Sequence, residues 1–434
     1  MKAAEAARER VLSLLLGPAR QPHETGITSV CSAHPLVLEA ACREALGAGT
    51  AVLIEATCNQ VNQDGGYTGM TPAGFRDFVA GIATEAGLDT SRVVLGGDHL
   101  GPNPWKSLPA AEAMDKAEAM VAAYVAAGFR KIHLDCSMGC QGEPAALADE
   151  IVAERAARLA RVAEATAASA GLPAPVYVIG TEVPPPGGAT HEIVTIEVTA
   201  PSAVARTYAV HREAFAAAGA SAALDRVLAL VVQPGVEFGN ANVVIYDRAA
   251  ARALSASLAD LPGLAFEAHS TDYQPVEALT GLVEDGFAIL KVGPGLTFAL
   301  REALYGLDAI AAELVPDRGR SLQSTMEQLM LAEPRNWQGH YPGTAAEQRL
   351  QRHFSYSDRI RYYWTHPTAV AAVDRLLEEL ATVTIPETLV SQHLGRLYPA
   401  VAAGSLPATP RELCLAAIDL ALAPYRAATT GGTR

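Results

Sequence analysis

Short apolar runs rich in Val, Ile and Leu recur along this chain, separated by longer Ala-rich stretches in which apolar residues return every three to four positions. Eight such runs stand out: Gly26–His34, Ala51–Gln60, Val93–Leu100, Lys131–Ser137, Pro175–Val183, Leu228–Val236, Leu264–Thr271 and Ala288–Gly295. Each is apolar through its middle, as a strand covered on both faces must be, and each closes in polar or glycine residues. The stretches between them read as helices. Ala111–Ala127 gathers Met114, Ala117, Val121, Tyr124 and Val125 on one face and stops at Gly128, and Ala145–Ala170 stops likewise at Gly171. Strand alternating with helix makes a parallel sheet, and eight repeats of the unit predict an α/β chain folded as a (β/α)8 TIM barrel. A doubly wound sheet would instead carry a glycine-rich phosphate turn after its first strand, and Cys31-Ser32-Ala33-His34-Pro35 has none.

Two segments depart from the repeat. After the fifth run, Pro184-Pro185-Pro186-Gly187-Gly188 opens an expected insertion over about 184–219 that includes a helix with His211 and Phe215, on the side where long loops cover a site. Beyond Tyr305 the strand pattern stops, leaving helical stretches and the aromatic-basic run His353–Trp364. The expected organisation is a barrel domain over 1–308 and a helical C-terminal extension over 309–434 packed on it, with Ala427–Arg434 frayed.

Composition narrows the function. At 434 residues, 50% hydrophobic and 18% charged, the chain can bury a large core. A formal charge of −14 repels phosphate backbones, and no Lys/Arg run with interleaved aromatics is present, which sets nucleic acid aside. No stretch reaches the ~18 apolar residues of a membrane span, and Met1-Lys2-Ala3-Ala4-Glu5 lacks a signal peptide's apolar core, so the expected location is cytoplasmic with no membrane partner. Six scattered cysteines (Cys31, Cys42, Cys58, Cys136, Cys140, Cys414) read as reduced thiols.

Barrels carry their chemistry at the C-terminal ends of the strands. Here those ends supply His34; Asn59, Gln60 and Asn62; Asp98 and His99; Asp135 and Ser137; Glu182; Gln233 and Glu237; Glu267, His269 and Asp272; and Lys291. The most informative is Val93–Gly101, an apolar strand ending in a carboxylate–imidazole pair, which offers a proton carrier beside a metal ligand. Neighbouring strand residues point to opposite faces, so Asp98 and His99 share one site only where the strand bends, as Gly96, Gly97 and Gly101 allow. His99, Glu182, Glu237 and His269 form a candidate set for a divalent cation, Zn2+ first, with Mn2+, Co2+ or Ni2+ as alternatives, although each histidine can equally cap its own strand. Asp98 and Asp135 are the candidate catalytic acid/bases. A Schiff base at Lys291 would need a dry pocket that depresses its pKa and is not favoured. Asn59, Gln60, Asn62, Ser137, Asp272 and Thr297 are candidate substrate contacts. Arg359 and Arg361 with Ser355 and Ser357 suit a phosphate, a solvated helix face being the equal alternative.

Glu55–Met70, Gly96–Trp105, His133–Met138 and Ser357–Trp364 together resemble the Z-subunit family of class II D-tagatose-1,6-bisphosphate aldolase, over nearly the whole chain. The resemblance implies a barrel related to the metal-dependent aldolases, with Asp98 as acid/base and His99 as metal ligand. Glu182, in Thr181-Glu182-Val183-Pro184, falls where those aldolases carry a glutamate before Gly-Gly. His269 matches their late-strand histidine ligand, and Glu237, near Gly239-Asn240, stands where they have a further histidine. The phosphate turns differ: His269-Ser270-Thr271-Asp272-Tyr273 and Gly293-Pro294-Gly295-Leu296-Thr297 retain only Thr297. The family is usually described as an accessory subunit supporting a catalytic Y subunit, and some members look like sugar-phosphate 4-epimerases. The completeness of the acid/base and ligand set favours metal-dependent C4 epimerisation of tagatose 6-phosphate and fructose 6-phosphate by a retro-aldol/aldol route, with the non-catalytic Z subunit as the alternative. Expected partners are a ketohexose or its phosphate and further copies of the chain in a homo-oligomer, with an aldolase Y subunit as a further candidate.

Overall fold

The structure, a computed structural model, describes residues 25–181, 196–316 and 318–430. All eight runs form strands: β1 (Ile27–Cys31), β2 (Val52–Thr57), β3 (Val93–Leu100), β4 (Lys131–Leu134), β5 (Val176–Ile179), β6 (Val227–Val231), β7 (Ala265–Ala268) and β8 (Phe287–Val292). They pair in parallel and close in the order β1-β8-β7-β6-β5-β4-β3-β2, the predicted (β/α)8 barrel. The helices between strands follow the pattern read from the chain. α1 (Pro35–Ala48) starts where the His34 ring accepts from the Leu36 N–H. α2 (Pro72–Glu85) starts at Thr71, whose hydroxyl accepts from Gly74 N–H. α3 (Ala110–Ala126) and α4 (Asp149–Ala170) follow, the latter closed by Gly171 at φ 64°.

Strand alternation stacks the barrel interior in layers. The lowest is apolar and includes Leu53, Val94, Leu228, Ala265 and Ile289. Two residues further along, the same strand faces present Glu55, Gly96, Lys131, Glu267 and Lys291, and two further still Asp98, His133 and His269. The barrel therefore passes from an apolar floor through a charged layer to an imidazole layer. Gly96 is required in the middle one, because a Cβ there would stand 2.7 Å from the Glu55 side chain.

The bend expected at the end of β3 is present. The β3–β4 register shifts between Gly97 and Leu100, and His99 itself adopts φ 51°, which brings its ring to the same mouth as Asp98. Gly101 follows because a Cβ there would lie 1.7 Å from the Asp135 carbonyl oxygen.

Other expectations need correction. Residues 201–217, read as part of an insertion, form α5 (Pro201–Ala217), which packs on α4 as a member of the barrel's helical ring. Residues 182–195 lie outside the described residues. A two-stranded antiparallel hairpin, Glu237–Phe238 with Val243–Val244, follows β6 and was not anticipated. α6 (Arg248–Ala256) and α7 (Val276–Glu284) complete the later units. α8 (Pro294–Leu314) then runs unbroken through position 308, so no chain break marks the start of the extension.

The extension continues as α9 (Leu322–Ala332), α10 (Ala345–Phe354), α11 (Pro367–Ala381), α12 (Glu387–His393), α13 (Tyr398–Ala402) and α14 (Pro410–Thr429). α14 packs on α8, α7 and α1 and touches β1. Its end does not fray at Ala427, because the Thr429 carbonyl accepts from Gly26 N–H at 3.1 Å. All six cysteines are free thiols, and among the described residues no helix is long and apolar enough to cross a membrane.

Candidate active site

The charged layer is a chain of alternating signs, closed to water at Glu55, Lys131 and Glu267 and reaching the cleft at Lys291. Lys131 Nζ lies 2.6 Å from Glu55 Oε1 and 2.7 Å from Glu267 Oε2, with all three side chains 0% exposed. Both are close ion-pair contacts that fall outside hydrogen-bond geometry. Lys291 Nζ reaches Glu55 Oε2 at 2.5 Å and Asp98 Oδ1 at 2.9 Å. Burial works against the charge on each lysine, yet the facing carboxylates outweigh it and hold both ammonium groups above their ordinary range. A charged Lys291 of this kind is no Schiff-base nucleophile.

Above this layer three imidazoles meet. The ring centroids of His99, His133 and His269 are 5.0, 4.9 and 5.2 Å apart, pair by pair. Each sets one ring nitrogen against a carboxylate: His99 Nδ1 against Asp135 Oδ2 at 2.7 Å, His133 Nδ1 against Asp98 Oδ1 at 2.9 Å, and His269 Nε2 against Glu267 Oε1 at 2.9 Å; the His99 backbone N–H also donates to His133 Nδ1 at 3.2 Å. Burial pushes His269 down to about 3, so it is neutral. Asp98 is held well below the carboxylate range: burial opposes this, but His99, Lys291 and His133 outweigh it. His99 is raised, since Asp98 and Asp135 outweigh the cost of burying its charge.

This arrangement fits a divalent cation. One ligand atom each from Asp98, His99, His133 and His269 lie within 4.8 Å of one another. His133 Nε2 is buried with no hydrogen-bond partner, which is costly unless something else satisfies it. A carboxylate on the far nitrogen of each imidazole is the orienting shell that metal-bound histidines carry.

The residues read from the sequence divide into two groups. Asp98, His99 and His269 come together as expected. So do Asn59, Gln60, Asp272 and Arg361, which line a cleft above them with Cys31, Tyr67, Ser270, Lys291 and Tyr362. Arg361 stacks on Tyr362 at 4.5 Å and donates to its hydroxyl at 3.0 Å. A second chamber, lined in part by His34, Thr297, Trp364 and Arg411, adjoins the cleft through Gln60, Tyr67 and Arg361.

The other group has different work. Glu237, expected as a ligand, sits on the hairpin with Oε1 accepting from Phe238 N–H and its carboxyl bonded to Ser270, and stands apart from the four-donor cluster. Glu182 lies outside the described residues. Asp135, expected as an acid/base, is occupied orienting His99, and Ser137 donates to its other oxygen. Asn62 is spent on the turn, accepting from Asp64 and Gly66 N–H and donating to the Cys58 carbonyl. Thr297 donates to Asp358 at 2.7 Å. Ser355 and Ser357 are buried and both donate to Asn240 Oδ1, pinning the extension to the hairpin, while Arg359 donates to the Asn336 carbonyl.

Three participants were missed. His133, Lys131 and Glu55 precede the strand ends, but each is a polar side chain in an otherwise apolar run, which is the signal that marks them.

Fold and site together define a barrel enzyme that places a carboxylate and a cluster of three imidazoles at the mouth of its sheet. The chain matches the D-tagatose-1,6-bisphosphate aldolase subunit GatZ/KbaZ-like family over residues 12–430 and belongs to it. It is 60% identical over 423 residues to the D-tagatose 6-phosphate 4-epimerase of Agrobacterium fabrum (strain C58 / ATCC 33970), covering 97% of this chain and 99% of that protein. The crystal structure of a probable tagatose 6 phosphate kinase from Sinorhizobium meliloti 1021, also 60% identical, matches with a TM-score of 0.87 over 93% of this chain and 100% of that one.

Proposed function

We propose that this protein inverts C4 of a ketohexose 6-phosphate, interconverting tagatose 6-phosphate and fructose 6-phosphate by reversible cleavage of the C3–C4 bond. The observation that carries the reading is the ionised Asp98 beside three imidazoles each set against a carboxylate, at the floor of a cleft at the barrel mouth.

Asp98 takes the proton from the C4 hydroxyl. The C4–O electrons form the aldehyde carbonyl as the C3–C4 pair moves onto C3 and the C2 carbonyl oxygen, leaving an enediolate. A divalent cation held by His99, His133 and His269, with Asp98 beside it, would supply the Lewis acidity that draws charge to the C2 oxygen, and this nitrogen-rich set suits Zn2+ first, then Mn2+, Co2+ or Ni2+. The aldehyde turns its other face to C3, the bond re-forms, and Asp98 returns the proton to the new C4 oxygen. Asn59 would hold a hydroxyl, and Arg361 with Tyr67 and Tyr362 would hold the phosphate, a reading supported by their shared lining of the cleft. Retention of both fragments in the cleft makes the outcome epimerisation rather than net cleavage.

The two similar proteins are named for different reactions of one sugar phosphate. Phosphoryl transfer leaves the carbon skeleton alone and gives a carboxylate–imidazole centre of this kind no task at C4, so the donor set supports the epimerase reading. The test is incubation of the metal-loaded protein with tagatose 6-phosphate, with no nucleotide and no second protein. Fructose 6-phosphate is the expected product; its absence, or a product formed only with ATP, refutes the reading.

A further inference from the structure

Barrels commonly seat a phosphate in the loops after the seventh and eighth strands, against the N–H groups of a helix start. This chain builds that frame, since β8 runs through Gly293 directly into α8. The frame is already filled. Asp272, 2% exposed and in the loop after β7, accepts on Oδ1 from Gly293 N–H at 3.0 Å and Gly295 N–H at 2.7 Å. Gly295 permits the approach, because a Cβ there would stand 3.0 Å from that oxygen. The carboxylate thus uses the donors that an incoming phosphate would need, and it lines the same cleft as Asp98, His99 and His269.

The charges of the cleft agree. Its described charged lining residues are Asp98, Asp272, Lys291 and Arg361, and Lys291 is committed to Glu55 and Asp98. Outside the imidazole cluster, Arg361 is the cation left in this cleft to face a substrate phosphate.

Building on the reading of the substrate as a ketohexose phosphate, we propose that Asp272 is a specificity-determining residue: a built-in anion that takes the place of a second phosphate, so that the site binds a ketohexose monophosphate and turns away a bisphosphate. Like charge set against a substrate group is an effective means of rejection, commonly tenfold or more in affinity.

The test uses the full-length, metal-loaded protein and calorimetric titration with tagatose 6-phosphate, tagatose 1,6-bisphosphate and inorganic phosphate. Wild type is expected to bind the monophosphate at least about tenfold more tightly than the bisphosphate. Asp272→Gly, which removes the charge and frees both N–H groups, should shift the ratio of the two affinities towards the bisphosphate by about tenfold or more and gain affinity for inorganic phosphate. Asp272→Asn keeps an oxygen for the two N–H groups and should shift the ratio the same way by less. An unchanged ratio in a folded Asp272→Gly protein overturns the proposal, as does a wild type that binds both sugars equally; if the glycine variant does not fold, an unchanged ratio in Asp272→Asn overturns it. Failure of wild type to epimerise tagatose 6-phosphate would refute the functional reading separately, since the binding ratio is read without turnover.

Discussion

Replacing Lys131 with methionine tests the charged layer beneath the site. The ammonium stands 2.6 and 2.7 Å from Glu55 and Glu267, and none of the three side chains touches water. At an effective dielectric of about 20, each contact is worth roughly 6 kcal/mol of gross attraction. Taking the ions out of water consumes most of that, and the net cost of removing one partner from a buried ion pair is about 3–5 kcal/mol, because the orphaned charges stay behind. Glu55 retains Lys291 at 2.5 Å and Glu267 retains His269 at 2.9 Å, which places Lys131→Met at about 3–5 kcal/mol rather than above it. Urea unfolding followed by circular dichroism would measure the loss. A second change, Glu267→Gln, removes one of the two stranded carboxylates, so the double variant should recover much of the stability that Lys131→Met loses. A single-variant loss under about 1 kcal/mol, or a double variant that is the sum of two independent losses, would refute the reasoning.

Asp98→Asn should keep its bound metal, because the three imidazoles remain, yet lose turnover by about a thousandfold or more; metal analysis alongside kinetics checks both. His133→Ala removes an imidazole that the sequence did not flag, and should lower metal affinity by about tenfold to a hundredfold in a competition titration; unchanged affinity would exclude it from the ligand set. Burial pushes Glu237 up to about 7 from an ordinary 4.5, so the fold prefers its neutral form. The native state then holds a proton that the unfolded chain releases, and stability falls as pH rises from 4.5 through 7, by about 3 kcal/mol in all. Glu237→Gln, which is already neutral, should lack that fall and retain metal; denaturation at pH 5 and pH 8 checks the first and metal analysis the second.

The barrel was legible because parallel strands buried on both faces read as unbroken apolar runs, and Asp98 and His99 because glycines flank them at a strand end. Glu55, Lys131 and His133 are marked as polar residues in apolar runs, but a strand with both faces covered shows no polar–apolar alternation to reveal that they face the barrel axis. The Glu237–Phe238 hairpin strands are two residues long, too short for any periodicity. Ser355, Ser357 and Arg359 carry phosphate-binding chemistry but spend it on Asn240 and the Asn336 carbonyl, partners distant in the chain that residue type alone does not disclose. Helix α5 was mistaken for part of an insertion because a proline-glycine run precedes it, although its packing on α4 is that of any barrel helix.

The central claim is that C4 is inverted by breaking and remaking a carbon–carbon bond rather than by removing the C4 hydrogen. Turnover of tagatose 6-phosphate by the metal-loaded protein in D2O, followed by NMR, separates the two. Fructose 6-phosphate that keeps protium at C4 is the predicted product, and deuterium appearing at C4 would contradict the mechanism.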